Sequence, residues 1–180
     1  MAATKGSEGD YMAVAVYCLR RARQALAAVA RAQEEDLDFR DVEHYIVDLQ
    51  HIYESCCILN GNWPKVFSRP ARRAATKFIE QWNTGDRDDL RHAYAHYEAA
   101  LARPDHRLRG EPLAYATVRG VQYPMWDQLV ISDWQKGPES VRLLGKQYDL
   151  HGVHEALAGL ARQLAKVLED PEAGGLRADA

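Results

Sequence analysis

Apolar residues recur at three- and four-residue steps through most of the chain, the signature of helices with one buried face. Met12, Val16, Leu19, Ala22, Leu26 and Val29 form the first stripe and predict a helix over about 10–33. Val42, Ile46, Leu49, Ile52, Tyr53 and Cys56 form the second, over about 39–59, and Asn60-Gly61-Asn62 stops it because these residues accept the left-handed conformation at a helix end. A third helix is expected over 71–82, with Pro70 in its first turn and Ala74, Ala75, Phe78, Ile79 and Trp82 inward, since a missing N–H costs little there. A fourth is expected over 86–102, opened by Asp86, Asp88 and Asp89 and striped by Leu90, Ala93, Tyr94, Tyr97 and Leu101.

The pattern changes after residue 103. Short β-like runs occur at 115–123, 128–132 and 141–146, with turn signals at Gly120, Asp133 and Gly137-Pro138. A last amphipathic helix is expected over 152–169, from Val153, Leu157, Leu160, Leu164 and Leu168. The fold expected is therefore mainly α: a four-helix up-and-down bundle followed by a small antiparallel β-meander and a C-terminal helix. The bundle takes residues 9–103, a linker 104–113 and the β-plus-helix appendage 114–170, with 1–8 and 171–180 as flexible tails.

Composition narrows the functional classes. Apolar residues are 47% and charged residues 27% of 180 residues, as in an ordinary globular protein. The formal net charge of −3 argues against a protein that coats nucleic acid, so any RNA contact has to be a local basic site. Cys18, Cys56 and Cys57 lack zinc-ligand spacing and read as reduced thiols, which points to the cytoplasm. No apolar run approaches the ~18–20 residues needed to cross a bilayer. Phosphate-loop, dinucleotide-loop, serine-elbow and zincin motifs are absent from the sequence. No cofactor is expected, and no metal.

The densest chemistry lies in Asp88-Asp89-Leu90-Arg91-His92-Ala93-Tyr94-Ala95-His96-Tyr97-Glu98. Arginine grips phosphate with a planar fork, and histidine exchanges protons near neutral pH. Arg91, His92, His96 and Tyr97 resemble the motif of the HEPN (higher eukaryote and prokaryote nucleotide-binding) superfamily: arginine, a polar residue, further residues, histidine, with a tyrosine close by. The resemblance covers residues 10–103 and leaves out the β-rich part.

It implies a metal-independent endoribonuclease, a toxin or defence effector, working as a homodimer whose two Arg-His segments face each other. His96 would take the proton from a ribose 2′-hydroxyl, and Arg91 would stabilise the charge gathering at phosphorus. His92 and Tyr97 would support them. The implied partners are RNA and a nucleotidyltransferase-type antitoxin; neither DNA nor a membrane is expected. Positions five apart lie about 140° apart around a helix, so Arg91 and His96 act together most readily across a dimer.

Other readings stay open. Arg87 and His92 satisfy the same spacing in a second register. His44, Asp48 and His51 share one face of the second helix, as metal ligands in bundles do. Tyr115, Tyr123, Trp126 and Trp134 cluster in the β region, where they suit base stacking or a core. The basic linker Arg103, His106, Arg107 and Arg109 reads as a solvated connector. The alternative to an enzyme is a helical-bundle protein-interaction module.

Overall fold

The structure, a computed structural model, describes residues 6–34, 39–65, 67–83, 87, 89, 90, 92, 114–125, 131, 132, 140–143 and 145–168. The described chain is mainly helical, with small antiparallel sheets. The helices are α1 (Glu8–Glu34), α2 (Phe39–Leu59), α3 (Arg69–Trp82) and α4 (Val153–Leu168). The strands are β1 (Ala114–Val118), β2 (Val121–Met125), β3 (Ile131–Ser132), β4 (Ser140–Leu143) and β5 (Lys146–Asp149). The expected linker 104–113, the tail 171–180 and most of the expected helix 86–102 lie outside the described residues.

Contacts divide the chain into two compact units, Met1–Trp82 with Val153–Ala180, and Asn83–Gly152. In the first unit α1 packs on α2 and α4, and α3 packs on α2 and α4. Ser7 starts α1 as a cap: its Oγ accepts from the Asp10 amide at 3.3 Å, while Asp10 Oδ2 accepts from the Ser7 amide at 2.7 Å. This reciprocal pairing satisfies two amides that the first turn leaves orphaned, so α1 begins at Glu8, ahead of the expected residue 10. The bonds to Ser7 also hold the Asp10 carboxyl below its ordinary pKa.

α1 and α2 run antiparallel. The Lys65 amide donates to Glu8 Oε1 at 3.1 Å beyond one end of the pair, Cys18 meets Cys56, and Arg21 meets Asp48 further along. Ala15, Ala22, Ala25 and Ala28 are all buried on α1, and such small side chains let neighbouring helices approach closely. Gly61 (φ 76°) closes α2, and the Asn62 amide donates to the Leu59 carbonyl at 2.8 Å. Pro70 sits in the first turn of α3, where it has no hydrogen bond to lose. Ala71, Ala75, Phe78 and Trp82 are the buried face of α3; Val153, Ala156, Leu157, Leu160, Ala161, Leu164 and Val167 are that of α4.

The second unit holds a two-stranded sheet, β1-β2, and a three-stranded sheet, β3-β4-β5, both antiparallel. Val118 pairs with Val121, leaving Arg119-Gly120 as a two-residue turn with φ of 51° and 79°. Two left-handed residues in succession match the right-handed twist of a hairpin. Leu143 pairs with Lys146 across a second tight turn, where Gly145 has φ 77°. Val141, Leu143, Tyr148 and Leu150 are buried in this unit, together with Leu90.

Candidate functional site

Arg87, Asp89, Leu90 and His92 are helical, and His92 is half-buried. Arg91, His96 and Tyr97, which carry most of the expected chemistry, lie outside the described residues. What the structure gives is the way the start of their segment is held. Leu90 is fully buried. Asp89 Oδ2 accepts from Lys146 Nζ at 2.6 Å, and the same ammonium lies 5.4 Å from the centre of the Tyr148 ring.

Arg87 is buried to 5% exposure. Its Nε donates to the Asp149 carbonyl at 3.0 Å and its Nη2 to the His151 carbonyl at 3.3 Å. The Asp149 side chain turns back to accept from the His151 amide at 2.8 Å. Arg87 therefore organises the backbone leaving β5. In the second register it would have to grip a phosphate, whereas two of its nitrogens are committed to carbonyl oxygens.

A second polar constellation lies on α1 and α2. Arg21 donates from Nη1 to Asp48 Oδ1 at 2.9 Å and from Nε to the Tyr17 hydroxyl at 3.0 Å. The Tyr17 ring meets His51 edge to face, with centroids 6.2 Å apart, and His51 Nδ1 lies 3.9 Å from Glu54 Oε2. Burial pushes the Asp48 carboxyl above its ordinary pKa, against the pull of the Arg21 hydrogen bond and charge. Asp48 thus serves as the counter-ion of Arg21. Among the described residues no group of three or more His, Cys, Asp or Glu is placed to hold a metal ion. The sequence pattern marked Asp48 and His51 but missed Arg21 and Tyr17, whose four-residue spacing on α1 was the available signal.

The Cys18 and Cys56 sulfurs are 3.9 Å apart in the core between α1 and α2, and Cys57 is exposed. In the β1-β2 register Tyr115 pairs with Pro124 and Tyr123 with Ala116, so the two tyrosines are not cross-strand partners; Trp126 and Trp134 lie outside the described residues. No helix among the described residues is long and apolar enough to cross a membrane. Comparison with models of known protein families, with curated proteins and with solved structures finds no match to this chain.

Proposed function

We propose that the protein is a metal-independent endoribonuclease of HEPN type that acts as a homodimer. The observation that carries this reading is the Arg91-His92-Ala93-Tyr94-Ala95-His96-Tyr97 motif. Its support is local: the residues just before it are fixed by buried Leu90, by the Arg87 bonds to the chain after β5 and by the Asp89–Lys146 pair. A catalytic segment needs such an anchored start, because a displacement of about 1 Å can cost a hundredfold in rate. In the same reading the up-and-down bundle is the one expected over residues 9–103, and the protein is cytoplasmic, a setting that would keep its three cysteines reduced.

Neutral His96 removes the proton from a 2′-hydroxyl, the 2′-oxygen attacks phosphorus, and Arg91 neutralises the charge that gathers on the phosphoryl oxygens. The bond to the 5′-oxygen breaks, the leaving oxygen takes a proton from water and protonated His96 returns its proton to solvent, giving a 2′,3′-cyclic phosphate and a 5′-hydroxyl. His92 and Tyr97 flank this chemistry. RNA is the substrate, and a nucleotidyltransferase-type antitoxin is the partner if the protein is a toxin.

The test is incubation of the purified chain with single-stranded RNA in the presence of a chelator. Cleavage to cyclic-phosphate ends, lost in His96→Ala and Arg91→Ala variants that keep the wild-type circular dichroism spectrum, supports the reading. Intact RNA after incubation with dimeric wild-type protein overturns it.

A second reading, a helical interaction module, is favoured by one observation. Tyr17 is 40% exposed and Ile58 is 53% exposed along a groove of about 300 Å³ between α1 and α2, which Ala13, Val14, His51 and Glu54 also line.

A further inference from the structure

The chain carries more acidic than basic residues, 26 against 23, yet residues 55–79 contain no Asp or Glu at all. The same stretch contains Lys65, Arg69, Arg72, Arg73 and Lys77, and α3 gathers four of these cations. At 100° per residue, Arg69, Arg72, Arg73, Thr76, Lys77 and Glu80 fall within an arc of about 140°. All six are exposed, while Ala71, Ala75, Phe78 and Trp82 fill the opposite side. The solvent face of α3 is therefore a basic strip, with one carboxylate, Glu80, on it.

These charges are mostly uncommitted. Among the described residues Arg69 and Arg73 carry no ion pair. Lys77 lies 3.5 Å from Glu155 of α4, with both side chains largely exposed, so water and salt screen that pair. Arg72 Nη2 donates to the Pro64 carbonyl at 3.3 Å, which fixes the guanidinium without neutralising it. Beside the strip, Arg162 of α4 adds another cation at a groove with Ala74, Lys77, Glu155 and Gly159.

We propose that the solvent face of α3 is the surface that holds the sugar-phosphate backbone of RNA. The proposal rests on the ribonuclease reading for the identity of its ligand and assigns where that ligand is gripped. Repulsion among like charges on one helix face is a cost; the phosphates of a bound polyanion relieve it, and the helix cations in turn release the counterions condensed on those phosphates. From Arg69 to Lys77 the strip extends about 12 Å, the rise of three to four phosphates in a stacked strand at ~3.4 Å each. A lipid surface fits less well. Interfacial helices insert large apolar side chains, and the apolar side of α3 is already buried within the helical unit.

The experiment measures binding apart from cleavage. A fluorescent single-stranded RNA with 2′-O-methyl groups lacks the attacking hydroxyl, so its anisotropy reports affinity alone. The full chain is compared with Arg69→Gln/Arg73→Gln/Lys77→Gln and with a control of equal charge change on α1, Arg20→Gln/Arg23→Gln/Arg31→Gln. Arg72 is kept because it bonds to the chain. Both triple variants are first shown to melt like the wild type.

The α3 variant is expected to bind at least about tenfold more weakly at 100 mM salt, with the slope of log affinity against log salt reduced by about 2. The control is expected to stay within about twofold of the wild type. Equal losses in the two variants overturn the proposal. So does wild-type protein that leaves the RNA unbound at about 50 mM salt, or that binds only vesicles containing phosphatidylserine or only an acidic peptide. Cleavage of ordinary RNA is followed in parallel. Binding that depends on α3 without any cleavage removes the ribonuclease reading and leaves this surface; cleavage with unaltered binding in the α3 variant does the reverse.

Discussion

The Arg87 guanidinium donates to the main-chain carbonyl of Asp149 at 3.0 Å, across 62 positions of sequence. It ties the helical segment that leads into Arg91 to the chain leaving β5. Arg87→Met removes the donors, so the part-buried bonds to the Asp149 and His151 carbonyls are lost. We expect a loss of about 2–3 kcal/mol in stability, read as a lower urea midpoint, and a smaller loss for Arg87→Lys, which keeps the charge but not the fork. An unchanged midpoint for Arg87→Met would show that water replaces the arginine.

His154 is half-buried near the start of α4, with its ring 6.3 Å from that of Tyr45. Burial pulls its pKa below the ordinary 6.5, and the positive end of the helix dipole also disfavours a cation there. The folded state thus prefers the neutral ring. The stability this preference contributes is complete above about pH 6.5 and is lost as the pH falls through the lower, folded-state value. His154→Gln should flatten the acid side of the stability curve below about pH 6.5. Parallel curves for the two proteins would assign the pH dependence elsewhere.

The three thiols differ in access. Cys18 and Cys56 are buried against each other, and the hydrogen bond they share, together with burial, pushes the Cys56 thiol up. Because the thiolate is the reactive form, Cys57 should be the single cysteine that a disulfide reagent titrates rapidly in the folded protein. All three should react in denaturant. Cys57→Ser is expected to abolish the fast phase; rapid reaction of more than one thiol would mean that the α1-α2 contact opens readily.

Arg119 occupies a left-handed position, φ 51°, ahead of Gly120 in the β1-β2 turn. Asparagine is at ease there and arginine is not. Arg119→Asn is expected to stabilise the hairpin by about 0.5–1 kcal/mol, seen as slower amide exchange across the Thr117–Gln122 and Val118–Val121 pairs. Faster exchange would mean that the Arg119 side chain contributes more than its backbone costs.

Periodicity located the four helices whose bounds the structure gives, while the expected helix 86–102 lies mostly outside the described residues. Stripes on 10–33, 39–59, 71–82 and 152–169 became Glu8–Glu34, Phe39–Leu59, Arg69–Trp82 and Val153–Leu168, because each buries one continuous face. The run 115–123 broke at its glycine into β1 and β2. The run 141–146 hid the turn before Lys146, since Leu144 reads as apolar continuation while the decisive residue, Gly145, needs only its backbone. Arg87 was the least legible side chain. Beside Asp86, Asp88 and Asp89 it looks like one more solvated charge, and its true acceptors are carbonyls, which leave no mark in a sequence. The basic strip of α3 was written in the residue types, but it becomes a surface only once the opposite side of the helix is known to be covered.

The helical unit is assembled from both ends of the described chain, with α4 added after the whole of 83–152. During synthesis α1, α2 and α3 leave the ribosome first, and the apolar side chains with which α1 and α3 meet α4 stay open to water until Val153–Leu168 is made. For that interval the helical unit lacks α4, and the nascent chain is prone to association and to chaperone capture. Removal of Val153–Leu168 is therefore a defect of assembly for the first three helices as well as the loss of a terminal segment.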